Sequence, residues 1–213
     1  MNGACLAILG YPPPSEAVSD PPSSRFLERV AAGEPRALRE LVDEWTSPLM
    51  AFFWRSTGNR QDAEDLTAQT IERVFRAAPR YREQGSLGGW IFTIAHNRLR
   101  SFRRWQRIRP YWQRLVSPQV GEAGADDGDW LPEPSETSFL EGLEAGEEVQ
   151  RLLEQLPEQA RTLLLLSVQQ GLSHREIGAI VGLSEGAVRV RIHRARALLR
   201  QWETGKGNGD HDE

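Results

Sequence analysis

Cysteine is all but missing from this chain. Cys5 is the only one in 213 residues, so no intrachain disulfide forms and stability has to come from packed apolar faces. Long apolar runs are missing too: Leu163 to Leu166 is far short of the roughly 20 residues that a helical bilayer crossing needs. The apolar stretch Ala4 to Leu9 lacks the basic flank and the length of a secretory signal, so the expectation is a cytoplasmic protein without membrane insertion. The sequence shows no metal-ligand set, no nucleophile paired with a base and no phosphate-cradling glycine loop, and therefore nominates no catalytic residue, no metal site and no cofactor. It also lacks the alternation of strand and helix patterns that a receiver or nucleotide-binding module would show.

What is present is charge, and it is segregated. Residues 84–121 hold seven arginines and no acid, whereas 122–148 hold ten acids and no Lys or Arg. The formal net charge of -4 conceals this pattern. Mixed charge would mean solubility alone, but two basic surfaces flanking an acidic tether imply two separate contacts with a polyanion.

Apolar spacing organises the chain into helices. Pro12, Pro13, Pro14, Pro21 and Pro22 rule out a packed element at the start, so residues 1–24 read as a disordered leader. From Arg25 the apolar residues recur at three- and four-residue steps through Phe53, with a break at Gly33 to Pro35. After Gly58 and Asn59 a third helix runs to Ala78 and is expected to bury Ala63, Leu66, Ile71, Val74 and Phe75. A fourth, from Gly88 to Arg107, places Ile91, Ile94, Ala95, Leu99 and Phe102 on one stripe with basic residues elsewhere. The Pro-, Gly- and acid-rich stretch 109–143 shows no sustained period and reads as a flexible acidic linker. The expected fold is therefore all-α: two small helical domains, 25–108 and 144–203, joined by that linker and followed by a disordered tail, 204–213.

The second domain carries the sharpest local signal. Ser173 with Glu176 makes a capping box, Gly182 ends that helix, and Ser184 caps the next. This is the spacing of a helix-turn-helix, with Gly178 where the two helices come closest. On the last helix Val188, Ile192, Ala195 and Leu199 mark the buried side, leaving Arg189, Val190, His193, Arg194 and Arg196 outward or at the flank. Arginine reads guanine bidentately in the major groove and neutralises phosphates, so this helix is a candidate DNA reader. In the first domain Asp62, Glu64, Asp65 and Glu72 share a helix face, which suits the helix dipole or a partner interface better than a metal.

With these residues in view, the arrangement resembles a bacterial sigma factor of the sigma-70 family, extracytoplasmic-function (ECF) type. Asp62-Ala63-Glu64-Asp65-Leu66 followed by Arg73-Val74-Phe75-Arg76-Ala77 is similar to the family's region 2.2, and Trp90 through Asn97 to the start of its promoter-melting helix. Leu156-Pro157-Glu158 through Arg196 is similar to region 4. Ala68, Gln69 and Glu72 depart from the residues usual in the family. The resemblance implies a factor that binds core RNA polymerase, directs it to promoters and promotes melting. It would dock on the β′ clamp helices through Asp62, Asp65, Gln69, Glu72, Arg73 and Arg76, and also meet the β flap of the polymerase. Tyr81, Arg82 and Asn97, with Arg98, Arg100, Arg103 and Arg104, would hold the minus 10 element. Arg189, His193 and Arg194 would face minus 35 bases and Arg175 and Arg191 its phosphates, with Ser184, Val190 and Arg196 completing that surface. An anti-sigma factor is implied as a further partner. The competing reading is a free-standing helix-turn-helix regulator that binds duplex DNA without polymerase.

Overall fold

A computed structural model of the chain describes residues 23–83, 85–115, 143–169 and 171–207; these form eight α-helices, with no strand among them. In chain order they are α1 (Ser23–Ala31), α2 (Pro35–Thr57), α3 (Arg60–Ala77), α4 (Leu87–Leu115), α5 (Leu143–Gln155), α6 (Glu158–Gln169), α7 (His174–Val181) and α8 (Glu185–Gly207), with a 3-10 turn, Ala78–Arg80, after α3. Most of the expected leader, the acidic stretch 116–142 and the last six residues lie outside the described residues.

The helix ends follow from local chemistry. Gly58 takes a left-handed φ of 69° to end α2, and Asn59 caps α3 by accepting from the Asp62 amide at 3.0 Å. Arg29 grips both oxygens of Glu34, at 2.8 and 2.9 Å, and reaches Glu40 at 3.3 Å, which fixes the corner between α1 and α2. α4 continues through Leu115 and α8 through Gly207, each past the end expected from the sequence. Pro110 lies within α4; proline bends a helix or removes one bond without obligatorily ending it.

In the first half α2 and α3 pair closely, α4 lies across α3, and α1 closes the end against the 3-10 turn. Phe52, Phe53 and Phe92 are fully buried, and Phe52 meets the other two edge-on at 5.3 and 5.4 Å. Of the residues expected to be buried on α3, Phe75 is instead 40% exposed. The buried side of α3 is taken by Ala63, Leu66, Thr67, Thr70 and Val74; both threonines satisfy their hydroxyls on the carbonyl four residues back.

In the second half α6, α7 and α8 form the packed unit. The Ser173/Glu176 capping box is complete and Gly182 ends α7 at φ 75°. Gly178 is required for contact: a Cβ there would stand 2.5 Å from the Leu183 carbonyl oxygen of the turn. Leu163, Leu164, Leu165 and Leu166 are all buried, so α6 is covered on every side, by α7 and α8 on one and by α2 of the first half on another. A second seam joins α4 to α7. The two halves therefore share one continuous core.

Gly178→Ala should destabilise the protein by about 1–3 kcal/mol, because the backbone oxygen it would strike cannot rotate aside as a side chain does. Chemical denaturation followed by helical circular dichroism checks this; an unchanged midpoint would mean that the turn relaxes freely.

Candidate nucleic-acid interface

The geometry sets out three surfaces. The first is on α8. Ser184 accepts from the Ala187 amide at 3.3 Å and starts the helix, and Val188, Ile192 and Ala195 lock it onto α6 and α7. Arg189, Val190, His193 and Arg194 stand exposed together, with Val190 at 49% exposure between two arginines. That is one apolar contact, suited to a thymine methyl, flanked by donors suited to guanine edges and phosphates. Arg175 on α7 is also exposed beside this face. Two of the nominated arginines point elsewhere: Arg191 donates to Gln159 and Arg196 to Ser167, both on α6. They tie the helix to its support.

The second surface is the loop after the 3-10 turn together with the N-terminal half of α4. Tyr81 is half-buried, its ring edge-on to Trp90 at 4.9 Å, and burial followed by the charge of Glu83 pushes its phenol pKa up. Trp90, Thr93, Asn97, Arg100 and Arg104 follow at alternating three- and four-residue steps and so share a stripe that begins aromatic and ends basic. Trp90 belongs to that set; it opens the stretch that resembles the promoter-melting helix but was not counted among the minus 10 residues, and its spacing from Asn97 is the signal that would have placed it there. Arg82 is exposed and Arg98 half-buried. Arg103 lies off the stripe: its side chain is 15% exposed, pairs with Glu158 of α6 at 2.9 Å, and donates to the Ser56 carbonyl at 3.2 Å and to Thr162 at 3.3 Å.

His96 sits beside Arg103 and Arg100. Burial, and then those two charges, hold its pKa below the ordinary 6.5. The imidazole is therefore neutral near pH 7.

The third surface is the outer side of α3. Asp65, Gln69, Glu72, Arg73 and Arg76 are exposed and Asp62 half-exposed, and Glu72 pairs with Arg76 at 2.6 Å one helical turn away. Phe75 stands at the flank of this polar face, the sort of aromatic anchor that a protein interface uses. Among the described residues no helix is long and apolar enough to cross a membrane.

A helix-turn-helix with an open arginine-rich face, packed on a helical bundle that bears an aromatic-to-basic stripe, is the arrangement of a DNA-binding protein. Residues 41–108 match the family described as Sigma-70 region 2, and residues 146–199 match Sigma-70, region 4. The RNA polymerase sigma factor CarQ of Myxococcus xanthus is 34% identical over 82% of this chain and 94% of its own. The ECF RNA polymerase sigma factor SigE of Mycolicibacterium smegmatis is 36% identical over 76% of this chain, which spans only 60% of that longer relative. The solved structure of the sigma factor RpoE in complex with the anti-sigma factor NepR from Bartonella quintana superposes with a TM-score of 0.54 at 21% identity, over 76% of this chain and 94% of that one. The chain belongs to the sigma-70 family, in its ECF group, and is a polymerase-binding promoter-specificity factor rather than a free-standing regulator.

Because the folded state binds fewer protons at His96 than the unfolded chain does, its contribution to stability is complete above the unfolded imidazole pKa. That contribution is lost as pH falls through about 6.5 toward the lower folded value. NMR titration should place the His96 imidazole below the free value, and His96→Gln should flatten this limb of the stability profile. A normal or raised His96 pKa would contradict the assignment.

Proposed function

We propose that residues 25–108 act as the module that docks on core polymerase and holds the minus 10 element, and residues 144–203 as the module that reads the minus 35 element. The observation that carries this reading is the capped helix-turn-helix whose one open face gathers Arg189, Val190, His193 and Arg194. Bases would be selected by that face, while Arg175 and the amide end of α8 beside Ser184 position it on phosphates. The paired Arg191 and Arg196 act chiefly by holding α8 on α6.

At the other module, an unpaired base would lie against Tyr81 and Trp90, with Asn97 offering edge contacts and Arg82, Arg98, Arg100 and Arg104 following the backbone. Unstacking costs a few kcal/mol and aromatic stacking returns about 1–3 kcal/mol per base, so opening is near balance. No chemical step of the protein's own is required, and it acts without catalysis. The outer face of α3, with Asp62, Asp65, Gln69, Glu72, Arg73, Arg76 and now Phe75, would meet the β′ clamp helices, and the second module the β flap. An anti-sigma factor is the expected inhibitory partner, as RpoE has in NepR. The setting is the cytoplasm.

Reconstitution with core polymerase tests the whole reading: transcripts should start at sites that core alone ignores. Arg189→Ala and Arg194→Ala should each cost about 1–3 kcal/mol of promoter discrimination, concentrated at single minus 35 positions. Loss spread evenly over all promoter variants would assign both residues to phosphate. Transcription indistinguishable from that of core alone would overturn the reading.

A further inference from the structure

A cavity of about 370 Å³ lies where α2, α4 and α6 meet, and it shares no residue with the α8 reader, the aromatic-to-basic stripe or the outer face of α3. Its walls hold the guanidiniums of Arg103, Arg107 and Arg161 against the single carboxylate of Glu158, so positive charge is in excess. That carboxylate is already divided, taking Arg103 at 2.9 Å and Arg107 at 3.1 Å. Arg161 turns to the backbone instead and donates to the Glu154 carbonyl at 3.0 Å; among the described residues no carboxylate pairs with it. Burial lowers its pKa, against the attraction of Glu154 and Glu158. Burial also lowers that of Arg103, where Glu158 opposes and the charges of Arg161 and Arg107 add to the lowering. The three cations press on one another.

Two donors in this wall are unmatched. Ser56, near the end of α2, is 4% exposed and its Oγ has no hydrogen-bond partner among the described residues; Arg161 Nε is equally buried and equally unpartnered. Thr57, next along, satisfies its own hydroxyl on the Phe53 carbonyl at 2.9 Å, so the helix does not force this on Ser56. A buried donor without an acceptor is costly, and each one in a native fold calls for an explanation.

We infer that this cleft binds a diphosphate group, carried by a nucleoside diphosphate or free as pyrophosphate, with Arg107 and Arg161 on its oxygens and Ser56 donating from the inner wall. The guanidinium fork matches phosphate oxygens, and a diphosphate offers an oxygen to each of the three donors where a lone carboxylate would have to share two. The volume falls at the lower end of the roughly 300–1,000 Å³ of small-ligand sites, which leaves room beyond one phosphate. Phe102 adds an aromatic wall and Gln106 an exposed amide, the contacts that a base would use. Ser56 lies too deep for the backbone of a duplex to reach, which separates this site from the DNA-facing surfaces.

Isothermal titration of the full-length protein with ADP and with sodium pyrophosphate, both free of magnesium and at constant ionic strength, tests this. Each should bind saturably at one site per chain, and each should raise the thermal midpoint with the logarithm of its concentration. Arg107→Gln, at an exposed side chain, should weaken both by about tenfold or more. Ser56→Ala removes a hydroxyl that bonds nothing, so it should leave the midpoint of the free protein unchanged while weakening both ligands several-fold. Glu158→Gln takes away the competing carboxylate and should tighten both. Arg39→Gln, an exposed arginine elsewhere on α2, removes equal charge to Arg107→Gln and should change neither. Tighter binding of ADP than of pyrophosphate assigns the diphosphate to a nucleotide, and equal affinity assigns it to the free ion. The inference is overturned if neither ligand binds saturably, if Arg107→Gln and Ser56→Ala bind like wild type, if Glu158→Gln gains nothing, or if Arg189→Ala/Arg194→Ala abolishes the binding. Neither polymerase nor promoter enters these titrations, so failure here and failure of the promoter reading are separate results.

Discussion

Four consecutive leucines govern the architecture. Leu163 to Leu166 point in every direction around α6, and an amphipathic helix can cover only one of those directions with its own hairpin partners. α7 and α8 take one side and α5 packs on another, and α2 of the first half covers what is left. Burying a leucine is worth about 1.5–3 kcal/mol, so leaving even one uncovered would hold an opened form at roughly one molecule in ten to one in a hundred. The two halves thus close on each other for a reason unrelated to DNA.

The same helices carry many arginines, and the cost of closure is visible at Arg103, which is paired with Glu158 inside the seam. Burial lowers its pKa, with Glu158 opposing, so the residue depends on its carboxylate partner while the seam is shut. Glu176 is the converse. Burial alone would raise its pKa, but hydrogen bonds from Ser86 and Ser173 outweigh that and hold it in the ionised form. Glu176 therefore keeps its charge at neutral pH.

Much of this was legible in the sequence because it is written in local code. The capping box at Ser173 and Glu176, the stop at Gly182 and the close approach at Gly178 depend on residues within ten positions of one another, and all are present. The open face of α8 also followed from periodicity, since Val188, Ile192 and Ala195 are buried where the spacing put them. What escaped depends on residues distant in the chain. Phe75 has the hydropathy of a core residue, but the side of α3 that faces α2 is already filled by Thr67 and Thr70, whose hydroxyls are satisfied internally. Arg103, Arg191 and Arg196 look like free cations until Glu158, Gln159 and Ser167 are placed beside them. The seam itself had one signature, the leucine run, which excluded a membrane span but also meant a helix buried all round.

That seam explains why the two surfaces proposed to face DNA are treated differently. α8 runs along α6 and α7 with its inner side fully used, so its reader face has no route into the seam without dismantling the helix-turn-helix. α4 has a second side to offer, and α7 lies against it. A module that reads duplex DNA presents its arginines to a groove that is already formed, whereas one that holds a separated strand presents aromatic rings that water wets poorly. Ile180 lines the same cavity as Tyr81 and Trp90, so the aromatic end of the stripe faces apolar protein as well as water. The basic end of the stripe, Asn97, Arg100 and Arg104, stays exposed like the reader face of α8, and only the aromatic end is drawn toward the second half: basic surface tolerates water, and a stacking surface does not.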